Sequence, residues 1–268
     1  MRPPANPETL TKMGSSSGRF GRGFRQLRNA PATWQLFRLL IIIQAVPVLW
    51  DIVAPPGHSQ PDKLSQAQIL LGLTKPNFLS GNFWQPFTYA LIHVNWQHTL
   101  LNAAAIVLLG SKIEHIVGKL TFRCVAILAV LAGGLLFLPL TPSSTVNPET
   151  LVGSSAICFA LLVLLTTLSP ESRFLPVFLG GKSLGAGIIL ANLSLALLHP
   201  GLNTGPLAKL GGQLAEIFPG LFQINHACHL GGSLAGYFAG RFLLRPRVTI
   251  ESLRREREKR EGSGAAPR

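Results

Sequence analysis

The sequence predicts an all-α membrane protein, a six-transmembrane-helix bundle with both termini cytoplasmic. Three observations predict it. Charged residues are only 13% of the 268 residues and apolar residues 47%, whereas soluble domains carry roughly a quarter charged residues. Five long stretches contain no Asp, Glu, Lys or Arg: Lys75 to Lys112, Arg123 to Glu149, Glu149 to Glu171, Lys182 to Lys209, and Glu216 to Arg241. Each exceeds the about 20 apolar residues that cross roughly 30 Å of hydrocarbon. Finally, with both termini cytoplasmic, 21 of the 24 Lys and Arg fall in the inner segments 1–38, 111–123, 170–185 and 241–268, leaving Lys63, Lys75 and Lys209 outside. That positive-inside asymmetry requires an even number of spans. The net charge of +13 therefore reflects orientation. A nucleic-acid binder would instead gather its Lys and Arg on one folded surface, so no nucleic-acid partner is expected. A soluble fold is excluded because so many apolar stretches leave too little polar surface to enclose them.

Residues 1–34 read as a flexible basic cytoplasmic tail, although an Arg- and Ser-rich, acid-poor start also suits an organellar transit peptide. The membrane domain covers 35–244. Its first span, 35–54, is the weakest: Arg38 and Asp51 near its ends snorkel to the interface, and Pro47 interrupts it. Residues 55–94 form an outer interfacial loop, Pro-rich and polar at first and then aromatic through Phe83, Trp84, Phe87 and Tyr89, a composition suited to the headgroup region. The other spans are expected at 95–112, 120–140, 153–169, 184–199 and 225–244. Residues 245–268 form a charged cytoplasmic tail, in which Glu251 to Gly262 is a solvated helix or disordered and available to anionic lipid. Cys124, Cys158 and Cys228 lie inside spans and act there as small apolar residues. With no zinc-type Cys/His spacing, phosphate loop or dinucleotide glycine pattern, no metal and no cofactor is expected.

Polar residues inside spans are costly unless partnered, which makes them functional candidates. His98 and Asn102, four apart, share one face of the second span. Gly153-Ser154-Ser155-Ala156 opens the fourth. His229 opens the sixth, followed by Gly232, Gly236 and Gly240, a stripe that admits a neighbouring backbone. With the N-terminus inside, spans two, four and six all begin at the outer face. Rising about 1.5 Å per residue, they bring Ser155, His229, His98 and Asn102 to one shallow outer layer. This set suits acyl transfer: Ser155 as nucleophile, His229 as general base, and the Ser155 N–H with His98 and Asn102 as oxyanion donors. No Asp or Glu lies near this layer, so the pair is a dyad without a third member.

At these residues the chain resembles the rhomboid family of intramembrane serine proteases, over roughly Gly81 to Leu244. The strongest part runs from Trp84 to Gly118: Trp84, then Phe87-Thr88-Tyr89, His93, His98 five residues on, Asn102 four later, then Gly110, Glu114 and Gly118. GSSA at 153–156 resembles the family's Gly-x-Ser-Gly with Ser155 at the nucleophile position. HLGGSLAG from His229 resembles its His with small residues three and seven later. The resemblance implies a rhomboid-type bundle, oxyanion roles for His98 and Asn102, helix packing at Gly153, Gly232 and Gly236, and Phe159 as an aromatic against the base. Two residues depart from the pattern. Ala156 replaces the usual Gly, which implies crowding between the fourth and sixth spans or in the oxyanion pocket. Gln85 replaces a common Arg, which implies looser seating of the outer segment. His93, His115, His199 and His226 read as interfacial or helix-end residues, with His93 the first exception to consider.

The expected function is intramembrane cleavage of transmembrane protein substrates near the outer face, in a multi-pass protein of a bacterial inner membrane rather than an organellar one. Membrane lipid is the other expected partner, and oligomeric state is left open. Two other readings compete: a catalytically silent relative that binds transmembrane clients, for which Ala156 is the only support, and an unrelated six-span carrier. The carrier is disfavoured because the halves do not repeat and no charge sits at the midplane.

Overall fold

The computed structural model describes residues 27–53, 63–142, 148–174, 178–246 and 250–262. The expectations for 1–26, 54–62 and 263–268 in the tails and outer loop lie outside these residues. The helices, in chain order, are α1 (Pro31–Val53), α2 (Lys63–Leu71), α3 (Lys75–Leu79), α4 (Gln85–Thr88), α5 (Trp96–Val117), α6 (Lys119–Phe137), α7 (Ser155–Leu168), α8 (Gly181–Leu197), α9 (Pro206–Ile217), α10 (His226–Leu243) and α11 (Ile250–Gly262). Short 3-10 turns occupy Tyr89–Leu91 and Leu221–Gln223. The fold is mostly, not wholly, helical: β1 (Arg173–Phe174) pairs antiparallel with β2 (Leu179–Gly180), because the chain reverses there between α7 and α8 and its backbone groups need partners.

Helices of differing length overlie the six expected spans. By length and composition, the stretches Pro31–Trp50, Trp96–Val117 and Lys119–Phe137 are sufficient to cross a membrane, while Ser155–Leu168 and Gly181–Leu197 are shorter apolar helices. α7 has 14 residues. α10 has 18, but glycine, serine and histidine dilute its apolarity, and it buries those residues against its neighbours. Apolar side chains face outward along the other helices, among them Ile42, Val46, Leu101, Leu108, Leu120 and Ile127, each more than half exposed. An apolar belt of that extent marks a membrane-facing surface.

Individual residues explain where helices start, stop and meet. Pro47 lies inside α1 without ending it. α5 runs past the expected residue 112 to Val117 and stops at Gly118, whose φ of 83° suits glycine. In the last turn of α5, the buried Glu114 carboxylate accepts hydrogen bonds from Ala32 N (3.0 Å), Thr33 N (2.8 Å) and Thr33 Oγ1 (2.9 Å). A helix N-terminus offers unpaired donors and partial positive charge, so this pairing fastens α1 to α5 with no unmet buried charge.

Glycines on α10 set the packing of the centre. A Cβ added to Gly232 would stand 2.2 Å from the Ala156 carbonyl oxygen, and one on Gly236 2.1 Å from that of Ala160, both on α7. On its other side, a Cβ at Gly231 would stand 2.3 Å from the Ala132 oxygen of α6. The α10 backbone is thus pressed between α6 and α7. The expected crowding by Ala156 does not occur, because its methyl lies beside Gly133 of α6, where an added Cβ would be 2.9 Å away. Nor does Gln85 loosen the outer segment. It is fully buried and its Oε1 accepts from Thr74 N at 3.3 Å, while Trp84 Nε1 donates to the Leu70 carbonyl at 3.0 Å.

The sequence did not lead us to expect α9. Leu207, Leu210, Ile217 and Phe218 are exposed and Gly211 is pressed onto the Leu198 carbonyl at the end of α8. α11 confirms the helical option for the charged tail, with every side chain from Glu251 to Glu261 exposed.

Candidate active site

The segment leading into α7 is held at three points. Leu73 and Leu151 form an antiparallel bridge, Gly153 N donates to the Tyr89 carbonyl at 2.9 Å, and Ser154 N donates to His93 Nε2 at 3.2 Å. Tyr89 is itself fixed, fully buried and donating from its hydroxyl to the Val130 carbonyl at 2.9 Å. Gly153 has φ of 108°, and a Cβ there would lie 2.7 Å from His98 Cε1. Only glycine meets both demands. The His98 ring therefore covers Gly153, two residues ahead of Ser155.

Ser155 is the first residue of α7 and half-buried. Its N–H has no intrahelical acceptor, and no side chain caps the helix, since Ser154 Oγ is turned to His93 Nε2 at 3.2 Å. Ser155 Oγ lies 2.9 Å from His229 Nε2. His229 is buried in the first turns of α10, and Phe159, one turn along α7, stacks on its ring at 4.2 Å between centroids and 21° between planes. The Gly232 and Gly236 contacts are what let α10 approach α7 closely enough for that hydrogen bond.

Asn102 sits one turn beyond His98 on α5. The Cys158 thiol approaches its Oδ1 at 3.7 Å and its carbonyl at 3.6 Å, leaving Asn102 Nδ2 buried without a partner. Contacts to Gly153 and Cys158 place His98 and Asn102 on either side of Ser155 along the chain. All eight residues singled out from the sequence, Gly153, Ser155, Phe159, His98, Asn102, His229, Gly232 and Gly236, thus belong to one continuous cluster where α5, α7 and α10 meet. Among the described residues, no group of three or more His, Cys, Asp or Glu side chains gathers to hold a metal. The His–carboxylate pair that does form among them, His199 with Glu149 at 3.9 Å, does not involve His229.

Three supporting elements were missed. His93 is not interfacial; it is fully buried, and burial, then the neighbouring His98, pushes its imidazole down to about 3. It is neutral, with Nε2 accepting from Ser154. Asn95 and Asn225 cap α5 and α10, accepting from His98 N at 2.9 Å and Cys228 N at 2.8 Å. An Asn just ahead of an apolar helix is a readable start signal. Asn225 Nδ2 also donates to Glu149 Oε1 at 2.8 Å, and the buried His226 bonds Leu221 O at 2.8 Å and Asn192 Oδ1 at 3.2 Å. These partners are up to 76 residues apart, beyond the reach of local pattern.

A half-buried hydroxyl against a buried imidazole, with unpaired donors beside it, is equipped for acyl transfer. No curated protein matches the chain. A family model described as the Rhomboid domain matches residues 80–246. That match takes in well over half of the chain and every residue of the cluster, so this membrane protein belongs to the rhomboid family.

Proposed function

We propose that the chain is an intramembrane serine endopeptidase that cuts transmembrane segments of other membrane proteins near the outer face of the membrane. The observation that carries this reading is the 2.9 Å contact between Ser155 Oγ and His229 Nε2. Ser155 attacks the scissile carbonyl as His229 Nε2 takes its proton. The developing oxyanion accepts hydrogen bonds from the Ser155 N–H, from Asn102 Nδ2 and from His98. His229 returns the proton to the leaving amine, and water releases the acyl group by the reverse sequence. Phe159 and the Gly232 contact hold the imidazole in place of an acidic third member.

Under this reading the division stands as 1–34 tail, 35–244 six-helix membrane domain and 245–268 tail, with both termini cytoplasmic by the positive-inside rule. A bacterial inner membrane is the proposed location. Substrates enter laterally and unwind locally, since a helical peptide bond is shielded by its own hydrogen bonds. The silent client-binding reading drew on Ala156, whose methyl is accommodated at Gly133.

The test is labelling of the purified protein by a fluorophosphonate probe. Wild type is labelled, whereas Ser155→Ala and His229→Ala are not. Equal labelling of all three refutes the dyad. A wild type that captures a single-span substrate yet leaves it intact from about pH 6 to 9 is the silent relative instead.

A further inference from the structure

A cavity of about 670 Å³ opens between α7, α8 and α10 at the end of the bundle away from Ser155. It lies within the size range of small-molecule sites. Its walls change character along the helix axes. On α8, Lys182, Ala186, Ile189 and Leu190 line it, and on α10, Tyr237, Arg241 and Leu244. These spacings of three, four, seven and eight are single helical stripes. On α8 the stripe runs from a cation to hydrocarbon over about 12 Å. Glu171 also lines the mouth, so two cations face one carboxylate. Among the described residues none of the three is in an ion pair within 4.0 Å.

The geometry points to a binding site for one anionic phospholipid, its phosphate at Lys182 and Arg241 and an acyl chain along Ile189, Leu190 and Tyr237. Charge complementarity selects the headgroup. The apolar wall and its lateral opening select a lipid over a dissolved anion: Leu190 is 60% exposed, and Phe238 and Phe242 beside the α10 wall are 63% and 66% exposed, so the cavity is continuous with the apolar belt. Basic pockets between membrane helices recognise anionic headgroups in this way. The site lies in the leaflet opposite Ser155 and does not depend on the peptidase reading.

Native mass spectrometry of the delipidated full chain, titrated with phosphatidylglycerol and phosphatidylcholine of matched acyl chains, tests it. Wild type retains one phosphatidylglycerol with about tenfold preference. The variant combining Lys182→Gln and Arg241→Gln loses the preference, and Ala186→Trp, which fills the apolar wall with both cations intact, weakens retention of both lipids. Arg254→Gln with Arg257→Gln on the exposed α11 leaves the preference unchanged. No headgroup preference in wild type, a preference that survives loss of Lys182 and Arg241, or one removed by the α11 variant overturns the proposal. So does displacement of the bound lipid by millimolar inorganic phosphate, which marks a plain anion site.

Discussion

Replacing Gly232 by alanine tests the claim that helix approach sets the geometry of the serine and histidine. The new Cβ would lie 2.2 Å from the Ala156 carbonyl oxygen and 2.8 Å from Ala156 Cα. Both are backbone atoms, so no rotamer change relieves the contact. Reaching an ordinary separation of 3.4 Å means moving the helices apart by about 1.2 Å at that point. Ala156 adjoins Ser155 and Gly232 is one turn from His229, so the 2.9 Å hydrogen bond lengthens to roughly 4 Å and is lost. A misplacement of about 1 Å between reacting groups costs on the order of 100-fold in rate, and overpacking costs about 1–3 kcal/mol of stability. The assay is cleavage of a single-span reporter in proteoliposomes, with unfolding temperature in detergent recorded in parallel. Gly240→Ala is the control within the same stripe: its Cβ would meet Thr167 Cγ2 at 2.7 Å and Thr167 Cβ at 2.8 Å, so it also strains the contact with α7, but about two turns beyond Gly232 and away from Ser155 and His229. Gly187→Ala on α8 meets nothing within 4 Å and is neutral or stabilising by up to about 1 kcal/mol. Gly232→Ala with wild-type cleavage refutes the reasoning, as does a loss equally large in Gly240→Ala.

Asn102→Ala removes a buried donor with no other partner, and a fall in kcat of about 100- to 1000-fold with KM little changed is expected; a change confined to KM contradicts an oxyanion role. Glu149→Ala deprives Asn225 of its 2.8 Å acceptor and should lower the unfolding temperature by about 2–4 °C. Glu149→Gln, which keeps an acceptor oxygen, should recover most of that loss, and equal losses in both variants would argue for charge instead. His93 has its protonation depressed to about 3 in the fold against about 6.5 unfolded. The unfolded chain therefore binds more protons between those values, so this stability is present above about pH 6.5 and lost as pH falls towards 3. Wild type should lose up to about 2 kcal/mol more than His93→Gln between pH 6.5 and pH 5, read from thermal unfolding across that range; parallel profiles would exclude His93 as the source.

The spans were legible because lipid imposes long uncharged runs, and the site was legible because polar residues are rare enough in such runs to stand out. Ser155, His229, His98 and Asn102 were singled out by that contrast together with the topology that puts them in one outer layer and the family resemblance, and the fold gathers them into one cluster. What was not legible depends on distant partners. His93 looks like a loop histidine until the fold brings Ser154 to it across 61 residues. Glu149 looks like a boundary marker between two apolar stretches until Asn225 reaches it. Ala156 and Gln85 show the same limit from the other side: each departs from a family pattern, and Gly133 and Thr74 absorb the departure. α9 escaped because its 12 residues mix leucines with four glycine or charged interruptions, Lys209, Gly211, Gly212 and Glu216, within a connection whose flanking spans dominate the hydropathy.

The shortness of α7 bears on where water can go. Fourteen residues extend about 21 Å, some 9 Å less than an average hydrocarbon layer. Placed in that layer, a central helix this short leaves a hydrophobic mismatch that its longer neighbours wall off from lipid. Under the proposed peptidase reading, that deficit is the room through which water would reach Ser155 from the outer face. Hydrolysis would then draw its second substrate from the same side as the peptide, while the acyl chains around the longer helices stay dry.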